Sequence, residues 1–285
     1  MNRIALHLIA GAAFCGLGTA ALAADYGAPM PGPGPAPIIT PYAEPAGGWY
    51  LRGDVGVGAT SFGAWEETSL VAPAGGVAAW NSRSMSGTTF LRGGVGYQFN
   101  SYLRGDITAE YRTGGSMHGV NYIYNGNRTF ADAVNGHWSS TAVMANAYVD
   151  FGEFWGLTPF VGAGVGMAYN QLTGLQDTGV GANNLGAFGR YADGGKANFA
   201  WALHAGLGYE VNRNLKLELG YRYMNMGDAK SGVLTCYNGT GSYQNCNSYL
   251  TTKKLVSNDI HIGMRWMLNP PPPPVAQPIP VFAKN

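Results

Sequence analysis

Eight segments of the chain alternate between apolar and polar residues with a period of two, and this pattern limits the possible folds more than any other feature. In segment 103–112, the apolar residues Leu103, Ile107 and Tyr111 alternate with charged residues such as Arg104 and Glu110. Such alternation is typical of β-strands whose two faces meet different surroundings. Each segment has about the nine to eleven residues that a tilted strand needs to cross a bilayer. The segments are 49–58, 91–99, 103–112, 143–151, 160–169, 199–209, 215–223 and 260–268.

The connections between these segments are alternately short and long. The short ones are 100–101, 152–157 and 211–214; the long ones, rich in Gly, Asn and Ser, lie near 60–87, 113–137, 170–197 and 227–255. Short turns at one end and long loops at the other are typical of a bacterial outer-membrane barrel, whose closure leaves no strand edge unpaired in hydrocarbon. We therefore predict an all-β fold, an eight-stranded antiparallel up-and-down transmembrane β-barrel.

Charged residues are few and balanced in sign. They make up 12% of the 285 residues, whereas soluble domains average about 25%. The 17 basic and 16 acidic residues exclude a strongly basic nucleic-acid-binding protein, so we expect no nucleic-acid partner. Beyond residue 24 the sequence has no run of about 18 uncharged apolar residues, so any membrane must be crossed by strands.

Aromatic residues distinguish a membrane barrel from a soluble lipocalin-like barrel, whose apolar face would line a ligand cavity. They form two groups, one at the short-turn ends of the predicted strands and one toward the long-loop ends. Two such bands match the interfacial girdles of a membrane barrel. The first group is Trp49, Phe99, Tyr102, Phe151, Phe154, Trp155, Tyr209 and Trp266, and the second is Tyr111, Tyr169, Phe199, Trp201, Tyr221 and Tyr223.

Two motifs carry a resemblance to a known family. Segment 48–56 reads Gly-Trp-Tyr-Leu-Arg-Gly-Asp-Val-Gly, and the last strand contains His261, Gly263, Trp266 and Leu268 in the order polar, glycine, aromatic and hydrophobic. With the short-turn pattern, these motifs make residues 46–269 resemble the small outer-membrane β-barrel proteins of Gram-negative bacteria. These are the OmpA-like barrels often labelled porin family or outer-membrane immunogenic protein, and the likeness is strongest to alphaproteobacterial members.

The resemblance implies a location and a set of partners. The protein would be a monomer in the outer membrane, with the long loops extracellular and both termini periplasmic, in contact with membrane lipid and lipopolysaccharide. His261, Gly263, Trp266 and Leu268 would form the assembly signal that the barrel-assembly machinery reads.

Both ends of the chain lie outside the predicted barrel, which we assign to residues 47–269. Residues 1–23 contain Arg3, an apolar run and a terminal Ala21-Leu22-Ala23, which predict a cleaved signal peptide and hence export. Residues 24–46 and 270–285 are rich in proline and cannot join a sheet, so we predict a periplasmic segment and a C-terminal tail. We expect no folded peptidoglycan-binding domain, so any contact with peptidoglycan would depend on these tails.

The charged residues of the alternating segments fall on the face that would line the lumen. An eight-stranded barrel is only about wide enough for its own side chains, and an isolated charge there would be costly. We therefore predict a paired network that largely plugs the lumen, with inward glycines such as Gly56, Gly94 and Gly96 making space for the long arginines. The predicted members are Arg52, Asp54, Arg92, Arg104, Asp106, Glu110, Arg112, Asp150, His204, Glu210, Lys216, Glu218, Arg222, His261 and Arg265.

This interior favours a structural, surface-exposed outer-membrane protein that contributes to envelope integrity. Two alternatives stay open, a small-solute porin, because the glycines could leave gaps, and binding of a haemin-like ligand or a host surface by the long loops. The resemblance allows haemin binding, whose contacts in the second long loop would be His118, Tyr122, Tyr124, His137 and Trp138. No serine nucleophile or third metal ligand matches the height of His204 and His261, so we expect no enzyme activity, metal or cofactor.

Two cysteines remain once the signal peptide is removed. Cys236 and Cys246 are separated by nine residues in the fourth long loop. The compartment outside the inner membrane is oxidising, and no His or further Cys is near enough in sequence to complete a metal site. We therefore predict a disulfide between them.

Overall fold

The computed structural model describes residues 47–268 except 73, 125 and 238–241. The predicted signal peptide, both proline-rich segments and residue 269 lie outside the described residues. No helix among the described residues is long and apolar enough to cross a membrane. The strands are β1 Gly48–Ser61, β2 Ala64–Glu67, β3 Val77–Met85, β4 Thr88–Gln98, β5 Leu103–Tyr124, β6 Thr129–Asp150, β7 Leu157–Gly179, β8 Phe188–Tyr191, β9 Gly194–Glu210, β10 Leu215–Lys230, β11 Leu234–Tyr237, β12 Tyr243–Asn245 and β13 Leu250–Met267.

Eight of these strands form a closed antiparallel ring, which confirms the predicted all-β barrel. Their order around the ring is β1, β4, β5, β6, β7, β9, β10 and β13, and β13 pairs with β1 to close it. Each strand of the ring therefore has a neighbour on both sides, as hydrocarbon requires. An asparagine side chain stabilises each of the short turns at 99–102 and 211–214. Asn100 Oδ1 accepts hydrogen bonds from the amides of Tyr102 and Leu103. Asn212 Oδ1 accepts them from the amides of Asn214 and Leu215.

The outer surface of the ring is apolar and carries both aromatic bands. Alternate residues such as Val55, Ile107 and Ile262 are about 60% exposed, as expected for side chains that face lipid. Trp49, Phe151 and Trp266 lie at the short-turn end, whereas Tyr111, Phe199 and Tyr221 lie about ten residues further along their strands. About ten residues is the length that a tilted strand needs to cross a bilayer.

The four long connections are not the polar loops that the sequence led us to expect. β5, β6 and β7 have 22, 22 and 23 residues, about twice what a membrane crossing needs, so the ring continues past the upper aromatic band. The short strands β2, β3, β8, β11 and β12 add to this part, which we call the extension. The prediction failed because bulges interrupt the alternation on which the period-two signal depends. One lies in β5 between Arg112 and Gly115, and another shifts the pairing of β6 with β7 between Asn135 and His137.

Candidate functional site

The lower half of the lumen holds a buried network of ion pairs. Glu218 on β10 is its centre, with carboxylate oxygens 2.6 Å from Arg265, 3.1 Å from Arg104 and 3.3 Å from Arg52. Arg52 also bonds Asp54 at 2.8 Å. The outer pairs of this group are Arg52 with Asp106, Arg92 with Asp54 and Arg104 with Asp150.

A second group of ion pairs lies above the first. Arg222 contacts Glu110 at 2.6 Å and Asp259 at 2.7 Å, while Arg112 contacts Asp259 at 2.8 Å and Glu110 at 3.0 Å. The side chains of both groups are at most 5% exposed, and six arginines face six carboxylates, so the interior charge is balanced. The arginines are 52, 92, 104, 112, 222 and 265, and the carboxylates are Asp54, Asp106, Glu110, Asp150, Glu218 and Asp259.

Aromatic rings separate the arginines and support them. The Arg104 guanidinium lies 4.1 Å from the centre of the Tyr148 ring and 4.8 Å from that of Phe160. Arg112 and Arg222 lie 4.8 and 4.7 Å from the centre of the Phe90 ring. Stacking of this kind stabilises a guanidinium while its edge stays free for carboxylates. Sequence reasoning missed these rings, although their inward position follows from the alternation.

Four inward glycines make room for aromatic rings and not, as we expected, for the arginines, whereas a Cβ on Gly58 would collide with Arg112. Each ring lies directly opposite a glycine on the neighbouring strand, in the pairs Tyr50 with Gly96, Phe90 with Gly56, Tyr148 with Gly162 and Phe160 with Gly206. A Cβ on Gly56 would come within 2.5 Å of Phe90, and one on Gly206 within 2.6 Å of Phe160. Only glycine fits at these four positions, because the ring on the neighbouring strand leaves no space for a Cβ atom.

Replacing Gly96 by alanine is expected to lower the free energy of unfolding by about 1–3 kcal/mol. The new methyl group would collide with the Tyr50 ring, whose hydroxyl donates to Asp106 at 3.1 Å. Gly53→Ala is the matched control, because a Cβ there meets no atom within 4 Å. Urea midpoints of the folded barrels in detergent measure both changes, and equal midpoints for the two variants would contradict this role of Gly96.

Two predicted members of the network do not belong to it. Lys216 and Glu210 bond each other at 2.9 Å, but their side chains are 30% and 45% exposed. They lie at the short-turn end of β10 and β9, where the lumen opens to solvent, so the prediction was wrong for them. Asp259 was missed because the sequence placed the start of its strand at residue 260, whereas β13 begins at Leu250.

The two histidines lie inside the charged network. His261 Nε2 is 3.9 Å from Asp54 Oδ1, and the His204 ring is 5.3 Å from that of Tyr148. In the assembly motif, His261 and Gly263 face the lumen, whereas Trp266 and Leu268 face outward and are 47% and 48% exposed. A Cβ on Gly263 would collide with Asp54, so this glycine also has a packing role.

Above the ion pairs the interior becomes apolar. Trp138, Leu172 and Met224 are completely buried at the level where the ring leaves the predicted membrane band. This layer continues into the extension as one cluster, which also contains Trp65, Met117, Val134, Met144, Leu175, Tyr191, Met226, Leu234, Leu250 and Leu255. The sequence analysis missed this layer, although Trp138 and Leu172 continue the alternation of inward residues in β6 and β7. Met117 follows a bulge in β5 that shifts the alternation by one residue.

The residues considered for haemin contacts lie on strands and not on a loop. His118 on β5 and His137 on β6 are exposed, and His118 Nδ1 lies 2.6 Å from Asn135 Oδ1. Trp138 is buried in the apolar layer, while Tyr122 is half-buried and Tyr124 bonds the Gly126 carbonyl. Trp138 and His137 are adjacent on β6, so their side chains lie on opposite faces of the strand. The five side chains therefore do not form one site.

A disulfide joins Cys236 and Cys246, as predicted, with Cα atoms 5.9 Å apart. Cys236 lies on β11 and both cysteines pack against the apolar cluster. The amide of Cys246 donates to the carbonyl of Leu234 at 2.9 Å, so the bridge fastens the end of the extension to its core.

The closed ring, the apolar outer belt and the charged lumen are features of an outer-membrane barrel. Comparison with known protein families gives the same result. Residues 10–251 match the family described as outer membrane protein beta-barrel domain. The chain belongs to this family. Membership of the outer membrane protein beta-barrel family assigns the protein to the bacterial outer membrane.

The chain is also similar to individual known proteins and solved structures. An uncharacterized protein of Brucella abortus (strain 2308) is 35% identical over 212 residues, 66% of this chain and 72% of that protein. Outer membrane protein PagN of Salmonella typhimurium is 30% identical over 127 residues, 44% of this chain and 48% of PagN. Neisserial surface protein A has a similar fold, with a TM-score of 0.43 and 16% identity over 76% of this chain and 96% of that one.

Proposed function

We propose that the protein is a structural, surface-exposed component of the outer membrane whose lumen is closed to solutes. The observation that supports the proposal is the buried interior of the ring, with six arginine and six carboxylate side chains below and the apolar cluster above. A solute would have to separate buried ion pairs, which leaves charges unpaired in a medium of low dielectric constant. It would then have to displace Trp138 and its neighbours.

This role requires few partners beyond the envelope itself. The apolar belt contacts membrane lipid and, in the outer leaflet, lipopolysaccharide, and the motif from His261 to Leu268 serves assembly by the barrel machinery. Eight strands complete the ring within one chain, so we propose a monomer, with peptidoglycan contacts left to the proline-rich tails. We propose no catalytic role, because the buried charged groups are committed to one another.

Single-channel recording tests the closed lumen. Purified, refolded protein in a planar bilayer should give no steady openings, because ions would have to pass both the buried ion pairs and the apolar cluster. A known porin reconstituted in the same way confirms that the conditions support insertion, and a shift in gel mobility after boiling confirms folding. Large, regular openings of the folded protein would instead establish the small-solute porin.

A further inference from the structure

The strands β8, β11 and β12 form a small antiparallel sheet that joins the ring at β7. Tyr191 and Leu234 point from this sheet into the apolar cluster, so the alternate residues lie on its outer face. Residues opposite one another in an antiparallel pair project to the same side, and the register aligns the outer residues in two rows, which we call the platform. One row is Thr178, Phe188, Tyr237 and Tyr243, and the other is Gln176, Arg190, Thr235 and Asn245.

The aromatic rings of the platform are open to water. Tyr243 is 64% exposed, and its ring centre lies 5.4 Å from that of Tyr237, with the half-buried Phe188 on the next strand. These rings are not part of the upper aromatic band. Along β7, Gln176 is seven residues beyond Tyr169 of that band, about 20 Å of extended strand. An interfacial role in lipid therefore does not explain why aromatic side chains occupy this surface.

The platform borders a concavity of about 520 Å³, within the range of about 300–1,000 Å³ that is usual for small-molecule sites. Its lining includes Phe188, Arg190, Asp193, Thr235 and Tyr243. Arg190 is exposed and forms no ion pair with another described residue, so its guanidinium is available to a ligand. The carboxylate of Asp193 is held in place by the Gly174 amide, which donates to its Oδ1 at 2.9 Å.

The chemistry of this concavity matches a ligand with many hydroxyl groups. The Arg190 guanidinium only donates hydrogen bonds, the ionised Asp193 carboxylate only accepts them, and the Thr235 hydroxyl does both. A sugar hydroxyl donates and accepts at the same time, so it can use both kinds of partner. The C–H face of a pyranose ring is apolar and packs against the face of an aromatic side chain. A positive and a negative residue in one concavity disfavour a strongly charged ligand of either sign.

We propose that the platform binds a neutral saccharide, with one pyranose ring stacked on Tyr243 and its hydroxyl groups bonded to Arg190 and Asp193. Because the sequence predicts that the long connections are extracellular, the saccharide would come from the surrounding medium or from a neighbouring surface. This site goes beyond the structural role proposed above and does not depend on the closed lumen, since it lies on the outer face of the extension. A conducting barrel would bind the saccharide equally well.

The disulfide fixes the shape of the platform from its inner side. β12 is the edge strand of the sheet and pairs with β11 through three residue pairs. Cys236 lies between Thr235 and Tyr237 in β11, and both bridged cysteines pack against the apolar cluster. The bridge therefore holds β12, and with it the Tyr243 ring, in place beside β11. A site that is ordered before binding loses less entropy when the ligand binds, so affinity for the saccharide should depend on the disulfide.

A glycan microarray probed with the folded, fluorescently labelled protein in detergent tests the site. The array should contain neutral oligosaccharides from animal cell surfaces and from lipopolysaccharide, and also sulfated glycans, so that it identifies the source of the ligand. We expect binding to at least one neutral oligosaccharide. Isothermal titration with that oligosaccharide should show about tenfold weaker binding in Tyr243→Ala, which removes the stacked ring, and in Arg190→Ala.

Tyr124→Ala and Arg83→Ala are the matched controls, because both residues are exposed in the extension but lie on β5 and β3, outside the platform. They should bind as the wild type does, and heat-modifiable gel mobility shows whether each variant is folded. The double variant Cys236→Ser/Cys246→Ser should remain folded and bind several-fold more weakly, which gives a readout that leaves the contact residues unchanged.

Salt dependence separates a neutral ligand from an anionic one. Affinity for a neutral saccharide should change less than about twofold between about 50 and about 500 mM NaCl, since binding forms no ion pair that salt would screen. Three results would overturn the proposal. These are the absence of binding to every neutral glycan at about 1 mM, wild-type affinity in both Tyr243→Ala and Arg190→Ala, and binding restricted to sulfated glycans and abolished by salt.

Discussion

Replacement of Glu218 by alanine is expected to lower the free energy of unfolding by about 3–5 kcal/mol, because it leaves buried charges without their partner. Glu218 is the carboxylate shared by Arg52, Arg104 and Arg265. Arg104 keeps Asp150 at 3.1 Å and Arg52 keeps Asp54, whereas Glu218 is the only carboxylate bonded to Arg265 among the described ion pairs. The interior would then carry one excess positive charge in a space that solvent does not reach.

Equilibrium unfolding in urea, followed by tryptophan fluorescence, measures this loss. Glu210→Ala is the matched control, since Glu210 is also a glutamate bonded to one basic residue but is 45% exposed. Exposed ion pairs contribute about 0–1 kcal/mol, so its midpoint should remain close to that of the wild type. Similar losses in the two variants would mean that the buried network does not stabilise the barrel.

Replacement of Ile107 by arginine on the lipid face is expected to cost about 2–4 kcal/mol, the usual effect of a charge near the bilayer midplane. Ile107 is at the middle of the part of β5 that lies between the aromatic bands and is 59% exposed. Leu103→Arg is the matched control on the same strand and the same face. Leu103 lies at the end of β5, beside Tyr102, where the same charge should cost about 0–1 kcal/mol.

Folding into liposomes of defined thickness and urea titration of the product measure the two costs. The ratio of folded to unfolded protein on gels without boiling gives a second readout. Equal costs at the two depths, or a greater cost at Leu103, would contradict the position that we assign to the membrane band.

The two faces of the barrel could be predicted from the sequence, but the pairing inside it could not. The odd or even position of a residue along its strand (its parity) is enough to place Arg104, Asp106 and Glu110 in the lumen, because successive strand residues point to opposite sides. Parity does not say which carboxylate an arginine meets. Arg112 bonds Asp259, 147 residues away, and Arg222 bonds Glu110, 112 residues away, and these contacts exist only once the ring has closed.

The error over Lys216 and Glu210 has a related cause. Both occupy strand positions whose side chains face the lumen. The alternating pattern does not show how far inside the barrel such a residue lies. Their position at the mouth of the barrel follows from the place where β9 ends and β10 begins, on either side of the turn at 211–214. The four cross-strand pairs of ring and glycine were missed for the same reason, since Tyr50 and Gly96 are opposite each other only in the observed register.

The sequence by itself determined the all-β class, the eight crossings and the apolar outer belt. These properties depend on local periodicity and composition, which each segment expresses without reference to any other. Only the tertiary structure decided that the long connections are strands and that Trp138 and its neighbours form an apolar layer above the charges. Those features depend on register and ring closure, which bring together residues from distant strands, and a pattern of period two contains neither.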